Sequence, residues 1–158
     1  MQTEIYLDTN ATSPVLPAAA AAAMAAMQDG FGNPSSSHAT GLRARALRES
    51  VRASAGRVVG AGDGRLMFNS GATEGIQTAV LSALCAVRER RARGEACGDI
   101  VLIGATEHKA VPESLAHWNR LLGTGLELRV LPVDGDGRHR LDVLRALAPR
   151  VALVCTMA

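Results

Sequence analysis

Aromatic residues are scarce in this sequence: two Phe, one Tyr and one Trp make up 3% of its 158 residues. Alanine supplies much of the apolar content instead, with 28 residues, and its small side chains pack helices closely but bury little area each. Hydrophobic residues nevertheless reach 47% of the chain. This share excludes wholesale disorder, and the length is enough for a folded domain with its own core.

The chain also lacks a strong charge imbalance. Its 17 Lys and Arg residues nearly balance its 15 Asp and Glu residues, which leaves a formal charge of +2. So small a charge does not favour a nucleic-acid partner, because proteins that bind nucleic acids concentrate positive charge. Lysine is almost absent, since Lys109 is the only one. This matters for enzymes whose chemistry requires a lysine amine.

Cysteine and long hydrophobic runs are scarce as well. The three cysteines are widely spaced, with no C-x-x-C pair and no metal-ligand spacing to the four histidines. We therefore expect reduced thiols and no metal site. Acidic residues stand near the N-terminus where a signal peptide would be basic, and the alanine-rich run at 18–26 is too short to span a bilayer. These features predict a cytoplasmic protein without a membrane partner.

Helix-favouring segments dominate the first part of the chain. The short apolar run Ile5–Leu7 is a candidate strand, which polar turn formers and Pro14 end. Helices are predicted from Pro17 to Gln28 and from about Thr40 to Val59, with a loop rich in Gly, Pro and Ser between them.

From residue 66 onward, short apolar runs alternate with helical stretches. The predicted strands are the runs at 66–68, 100–103, 126–133 and 151–154. Such alternation indicates βαβ units and a mainly parallel sheet with helices on both faces, so the predicted fold class is α/β. The last strand would reach a ligand site just where residue 158 is the final one, because ligands bind at the carboxyl ends of such strands. We therefore expect the 158 residues to be part of a larger protein.

The sharpest local motif is Phe68–Gly75, in which a predicted strand ends, Gly71 permits a tight turn and a helix begins. A helix N-terminus offers free N–H groups and a positive dipole end, which together bind phosphate, and Thr73 adds a hydroxyl donor. The motif is neither a Walker A loop nor a G-x-G-x-x-G fingerprint. Ordinary capping of a strand-to-helix turn fits the same residues, so both interpretations stay open here.

A second motif, Glu107–Lys109, follows the predicted strand at 100–103. It places His108 on the carboxyl edge of the sheet, the same edge as Gly71–Thr73. An imidazole there could stack on a planar cofactor or move protons near neutral pH, although a structural role is also open. Lys109 could form a Schiff base or be a surface lysine.

The remaining histidines and the arginines of the second predicted helix are not expected to take part in catalysis. His38, in the Ser-rich loop, is expected to cap the helix that follows it, although it could contact a phosphate instead. His117 and His139 lie in amphipathic or turn contexts and receive no role. The arginines between Thr40 and Val59 are typical of a solvated helix face, although they could bind an anion.

Taken together, these segments resemble the cysteine desulfurases of the class V aminotransferase family, which are pyridoxal-phosphate enzymes of fold type I. Four stretches carry the resemblance and occur in the family's order: Tyr6–Thr12, Gly32–His38 with Gly41, Ser70–Glu74 and Glu107–Val111. The resemblance implies an N-terminal segment and helix at residues 1–30. It implies that residues 31–158 are the first part of the large, pyridoxal-phosphate-binding domain.

The resemblance assigns roles to five residues. The backbone and hydroxyl of Ala72 and Thr73 would bind the cofactor phosphate. His108 would stack on the pyridine ring and shuttle a proton, which makes it the expected catalytic residue of this chain. Asn10 and Thr12 would lie near the substrate pocket.

Some family residues have no match here. Asn69 stands where the family usually has Thr, and Gly75–Gln77 replaces a more polar stretch that contains Asn. Lys109 does not match the family's Schiff-base lysine, and none of the cysteines matches its persulfide-forming cysteine. In the family both residues come well after the position of residue 158. We therefore expect this chain to be the N-terminal portion of such an enzyme and to be inactive alone.

The implied reaction removes sulfur from L-cysteine and gives L-alanine and an enzyme persulfide. The implied partners are a sulfur acceptor protein, the remaining C-terminal part of the enzyme and a second copy in a homodimer, with sulfur supply for iron–sulfur clusters as the setting. A selenocysteine lyase or a class V aminotransferase would share the fold. A non-catalytic assembly subunit built on a desulfurase half-domain also stays open.

Overall fold

The computed structural model describes residues 5–157. The chain divides into two compact units, Met1–Met67 and Phe68–Ala158, and each is described by itself. This division reflects compactness, whereas the division expected after residue 30 comes from the family resemblance and stays a prediction.

Two helices make up the regular structure described in the first unit. Helix α1 spans Pro17–Gln28, where a proline in the first turn and a run of alanines favour the helix, and none of its residues is buried. Helix α2 spans Ala39–Val58. His38 precedes it, and its Nδ1 accepts a hydrogen bond from the Gly41 N–H at 3.4 Å. The prediction that His38 caps this helix is confirmed.

The loop between α1 and α2 packs tightly on the start of α2. A Cβ atom at Gly41 would lie 2.6 Å from the carbonyl oxygen of Ser36 and 2.7 Å from that of Asn33, so only glycine fits there. The Arg45 Nε donates to the Pro34 carbonyl at 2.8 Å. Close backbone contact and one guanidinium group therefore hold the loop on α2.

The candidate strand at Ile5–Leu7 is wrong. Its two aliphatic side chains are exposed, and the Tyr6 hydroxyl donates to the carbonyls of Asp8 and Thr12, at 2.8 Å each. The segment leads into a local turn instead of pairing with a neighbouring strand, which is how a strand satisfies its backbone groups.

The second unit is a parallel sheet between helices. Its strands are β1 (Ile100–Gly104), β2 (Glu127–Leu131) and β3 (Val151–Cys155), in the order β2-β1-β3 with both pairs parallel. Its helices are α3 (Ala72–Ala92), α4 (Ala110–Leu122) and α5 (Leu141–Leu147), and a short 3-10 helix, Ala148–Arg150, precedes β3. The predicted α/β class with a mainly parallel sheet is confirmed.

Helices cover both faces of the sheet, because successive residues of a strand point to opposite faces. Val101 and Ile103 of β1 pack with α3 and α4. Ile100 and Leu102 point the other way and pack with Leu131 and with apolar residues of α5. The central strand is thus buried on both faces, as its unbroken apolar run predicts.

The predicted strand at 66–68 is wrong. Met67 is 69% exposed and Phe68 is 52% exposed, and the run has no strand geometry. The central strand β1 already pairs with β2 on one edge and β3 on the other. An apolar run becomes a strand only where a neighbour completes its backbone hydrogen bonds, and composition alone does not report that neighbour.

The longest helices are α2 and α3, with 20 and 21 residues. Both carry several arginines. Within residues 5–157, no helix is long and apolar enough to cross a membrane.

Candidate functional site

The first turn of α3 presents backbone donors to solvent. Its first intrahelical hydrogen bond runs from the Gly75 N–H to the Gly71 carbonyl at 3.2 Å, so the N–H groups of Ala72, Thr73 and Glu74 precede it. These three residues are exposed. A Cβ atom at Gly71 would meet no heavy atom within 4 Å, which shows open space ahead of the helix. Together with the helix dipole, this turn has the donor set that binds phosphate.

Side-chain hydrogen bonds fix the loop that precedes this turn. The Glu74 carboxylate accepts from the hydroxyl and the N–H of Ser70, at 2.6 Å each, and these bonds lower the pKa of Glu74. The Asn69 side-chain oxygen accepts from the Gly71 N–H at 3.1 Å. The loop uses its own donors internally, which leaves the donors of the first helical turn to an anion.

Gly71 does not form the tight turn expected from the sequence. Its backbone is extended, with φ 163° and ψ 171°, a conformation that any residue adopts. The Asn69 side chain, rather than an unusual glycine conformation, holds the chain where the helix begins.

His108 lies in the loop between β1 and α4, beyond the carboxyl end of β1. Its Nδ1 accepts from the Ala110 N–H at 3.2 Å, and its carbonyl accepts from the Val111 N–H at 2.9 Å. Because Nδ1 accepts, a neutral His108 ring carries its proton on Nε2. The residue is exposed. The start of α4 therefore orients the ring, and Nε2 is the atom that can serve a ligand.

The cysteines and the lysine show no sign of a second reactive site. Cys85, Cys97 and Cys155 are free thiols of intermediate burial, and within residues 5–157 no group of three or more His, Cys, Asp or Glu could hold a metal ion. Burial, with a smaller effect of the Glu107 carboxylate, raises the pKa of Cys155, so its thiol stays protonated at neutral pH. Lys109 is exposed directly before α4.

Asn10 and Thr12 lie in the first unit. Their turn is closed by the Asp8 carbonyl, which accepts from the N–H groups of Ala11 and Thr12 at 3.1 and 3.3 Å. Both residues are exposed. Their role near a substrate pocket stays a prediction, because the site residues of α3 and the β1–α4 loop belong to the other unit.

Two residues to which the sequence analysis gave no role lie around Gly104, the last residue of β1. A Cβ atom at Gly104 would lie 2.8 Å from the His139 Cε1 and 3.6 Å from the Glu107 Cγ. The His139 Nε2 lies 3.3 Å from the Met157 carbonyl oxygen. A signal for this arrangement was present in the sequence, because a glycine that ends a bulky apolar strand often marks the close approach of another group.

The second unit carries groups that suit the two parts of a planar cofactor with a phosphate. The first turn of α3 offers exposed N–H groups and the Thr73 hydroxyl, which suit the phosphate. The exposed His108 ring suits an aromatic face, and its Nε2–H is a donor. Pyridoxal phosphate, which the family resemblance implies, has both features.

Known proteins share both sequence and fold with this chain. The sequence model of the family described as aminotransferase class-V matches residues 5–158. A cysteine desulfurase of Cereibacter sphaeroides is 39% identical over 155 residues, which are 97% of this chain and 38% of that protein. A cysteine desulfurase of Bradyrhizobium diazoefficiens is 37% identical, and the match covers 97% of this chain and 37% of that protein.

A solved structure described as a NifS-like protein has a similar fold. Its TM-score is 0.76 at 28% identity, and the match covers 92% of this chain and 37% of that one. The chain therefore spans less than two fifths of the length of these relatives.

Proposed function

The chain belongs to the aminotransferase class-V family, and on that basis we propose that it supplies the N-terminal part of a pyridoxal-phosphate-dependent cysteine desulfurase. The observation that carries the proposal is the exposed donor set at the first turn of α3, in a chain whose relatives are named cysteine desulfurases. The desulfurase that contains this chain is called the assembled enzyme.

In the proposed reaction, L-cysteine gives L-alanine, and its sulfur passes to a cysteine thiol of the assembled enzyme as a persulfide. A sulfur acceptor protein then takes this sulfur. Bound pyridoxal phosphate supplies an electron sink for the chemistry at the substrate's α-carbon. The lysine that anchors the cofactor and the reactive thiol belong to the remaining, C-terminal part of the enzyme.

Ala72 and Thr73 hold the phosphate in this proposal. The two backbone N–H groups and the Thr73 hydroxyl provide three donors at the positive end of the α3 dipole. Glu74 does not compete for these donors, because its carboxylate is bound to Ser70 at 2.6 Å. The phosphate would therefore be bound by neutral donors that need little rearrangement.

His108 orients the cofactor ring and moves a proton. Its Nδ1 is held by the Ala110 N–H, which fixes the plane of the imidazole relative to α4. The Nε2–H can then donate a hydrogen bond to a substrate atom. To take up a proton at Nε2, the neutral ring must first move its hydrogen to Nδ1 and give up the bond from the Ala110 N–H. The fixed ring therefore suits stacking and hydrogen-bond donation, and proton transfer requires this change of tautomer.

The family resemblance supports a proposed dimer and a role in sulfur supply, and the acidic residues near the N-terminus support a proposed cytoplasmic location. We place the assembled enzyme in the cytoplasm, as a homodimer that supplies sulfur for iron–sulfur clusters. Light scattering of the purified enzyme tests the dimer. A single-copy mass would remove that part of the proposal and leave the reaction itself standing.

The reaction is tested by incubating the assembled enzyme with L-cysteine, pyridoxal phosphate and a thiol reductant. We expect L-alanine and sulfide in equal amounts, since each turnover releases one of each. Turnover of L-selenocysteine but not L-cysteine would indicate the lyase instead. Amino transfer to a 2-oxo acid would indicate the aminotransferase, and binding of desulfurase partners without any turnover would indicate a non-catalytic subunit.

A further inference from the structure

We propose that His139 is a positioning residue of the assembled enzyme, because it clamps together the chain segments that leave β1 and β3 at the carboxyl edge of the sheet. This inference rests on the proposed function, which places the His108 loop beside the cofactor. His139 itself touches neither the phosphate donors of α3 nor the ring of His108 in this assignment. It acts through the backbone that carries His108.

The clamp begins with close contact between the His139 ring and the end of β1. A Cβ atom at Gly104 would lie 2.8 Å from Cε1 and 3.3 Å from Nε2 of His139, so only glycine allows the ring to lie there. Gly104 is buried at the end of the central strand. The ring therefore rests on the residue from which the His108 loop departs.

A hydrogen bond joins the same ring to the segment after β3. The His139 Nε2 lies 3.3 Å from the Met157 carbonyl oxygen. Since a carbonyl only accepts, Nε2 carries the hydrogen and donates it. One imidazole thus contacts the exit of β1 through its carbon edge and the exit of β3 through its N–H.

The turn before α5 holds His139 in place. The Asp134 carboxylate accepts from the N–H groups of Asp136 and Arg138, at 2.9 Å each. His139 also forms an isolated antiparallel bridge with Val133. The ring is therefore presented by a closed turn, as a positioning group requires.

The polar atoms around Gly104 suggest more than packing. The Glu107 N–H donates to the Gly104 carbonyl at 3.1 Å. The Glu107 Cγ would lie 3.6 Å from a Cβ atom at Gly104. In the part of the chain that the structure describes, the Nδ1 of His139 and the Oε1 of Glu107 are buried without a hydrogen-bond partner. An aliphatic side chain at position 139 would cover Gly104 without leaving a buried ring nitrogen unpaired, so the unpaired Nδ1 points to a functional constraint on His139.

The strand order places His139 at the edge of the sheet where a ligand is expected to bind. The chain passes from β1 to β2 on one side and returns to β3 on the other side of β1. The strand order therefore reverses at β1, and ligands of open α/β sheets bind at the carboxyl ends of the strands where this happens. His139 joins the ends of the two strands that flank this point.

The first experiment tests the contact in the cofactor-free assembled enzyme. We expect Gly104→Ala to lower the urea midpoint in the native background and to have no further effect in the His139→Ala background, where the ring is gone. Gly135→Ala is the matched control, because a Cβ atom there meets no heavy atom within 4 Å. Additive effects of the two substitutions would overturn the contact.

The second experiment separates positioning from bulk packing in the cofactor-loaded enzyme. His139→Leu fills the space without a donor, whereas His139→Gln keeps an N–H. We expect His139→Leu to lower kcat by about tenfold or more, the scale of a misplaced reacting group, with KM for L-cysteine little changed. The visible circular dichroism of the bound cofactor should change with it, and His139→Gln should restore most of both. His117→Leu, at an exposed histidine of α4, is the control.

The outcomes distinguish this inference from the function on which it rests. Native spectra and native kcat in His139→Leu, or equal losses in the Leu and Gln variants, would overturn the positioning role. Absence of any cofactor spectrum in the native assembled enzyme would overturn the proposed function and the positioning role together. In that event the urea midpoints of the single and double variants would still show whether His139 and Gly104 are in contact.

Discussion

Single residues carry the most direct tests of the site, and Thr73 is the clearest of them. Backbone donors at the first turn of α3 cannot be removed by substitution, but the Thr73 hydroxyl can. The same helix offers a matched residue in Thr78, whose hydroxyl donates to the Glu74 carbonyl at 2.9 Å. Comparison of the two hydroxyls separates phosphate binding from a general effect on the helix.

Thr73→Val should weaken pyridoxal phosphate binding by the assembled enzyme about ten- to a hundredfold. The lost charge-assisted bond contributes about 1.5–3 kcal/mol, and ~1.4 kcal/mol corresponds to tenfold in affinity. A cofactor titration followed by absorbance measures the change, with Thr78→Val as the control. Unchanged affinity in Thr73→Val would contradict phosphate binding by the Thr73 hydroxyl and would favour ordinary helix capping as its role.

His108→Ala should lower turnover by about 10²-fold or more, the scale of a positioned acid–base group. His108→Phe should keep the stacking face and the cofactor absorbance but lose the proton. His108→Asn should still accept from the Ala110 N–H, as helix-capping Asn does. This variant therefore separates the capping role from stacking on the cofactor ring and from proton transfer. Steady-state kinetics and absorbance spectra of the three variants distinguish these roles. Native turnover in all three would make His108 a structural residue.

Residue types in the motifs indicated phosphate donors and an imidazole, whereas His139 was not recognised from its neighbours in sequence. His108 stands in a motif directly after a strand, so its position follows from local pattern. His139 lies 35 residues after Gly104, and only the return of the chain to the sheet edge brings them together. A contact of this kind depends on topology, which local pattern does not contain.

At the scale of elements, the helices follow from the sequence more closely than the strands. Prolines, alanine runs and apolar periodicity are local, and they predicted the bounds of α1 and α2 to within about one residue. The apolar runs at Ile5–Leu7 and 66–68 have the composition of strands but pair with no neighbouring strand. A strand forms only with a partner that is distant in sequence, so composition alone predicts too many strands.

The first turn of α5 provides a test by pH. The Arg140 guanidinium, hydrogen-bonded to Asp142 at 2.6 and 2.9 Å, lowers the pKa of Asp142 from 3.8 to about 2. A folded-state pKa below the unfolded value stabilises the fold above the unfolded pKa. That stabilisation is lost as the pH falls from about 3.8 towards 2.

We therefore expect the urea midpoint of the chain to fall less steeply between pH 5 and pH 2.5 in Asp142→Asn than in the native sequence. The effect should be small, because both partners of the pair are exposed. Asp136→Asn, which removes a carboxylate from the preceding turn, is the control. Parallel curves for native protein and Asp142→Asn would contradict the linkage.

For the whole molecule, the proposed function gives the 158 residues the binding and orientation of the cofactor and leaves the anchoring lysine and the reactive thiol to the rest of the enzyme. Lys109 is exposed beside His108, and the thiol of Cys155 is kept protonated by its raised pKa. Neither matches the family's lysine or nucleophile. Under the proposed function, the chain is therefore the cofactor-binding part of the assembled enzyme.

The isolated chain should release no sulfide from L-cysteine above the background of free pyridoxal phosphate. A methylene-blue sulfide assay measures this, with a complete desulfurase as the positive control. Turnover above background that Lys109→Ala abolishes would contradict the expectation and would make Lys109 the cofactor anchor.

The strand order has a consequence for synthesis on the ribosome. The central strand β1 is made first, and both of its neighbours come later in the chain. The roughly 27 residues between Gly104 and Leu131, the end of β2, take about 1–5 s to translate at ~5–20 residues per second, and the roughly 50 residues between Gly104 and Cys155 take about 3–10 s. In the first interval a wholly apolar strand has neither of its partners, and in the rest of the second it still lacks β3. We therefore expect β1 to be the segment of this chain on which a nascent-chain chaperone acts.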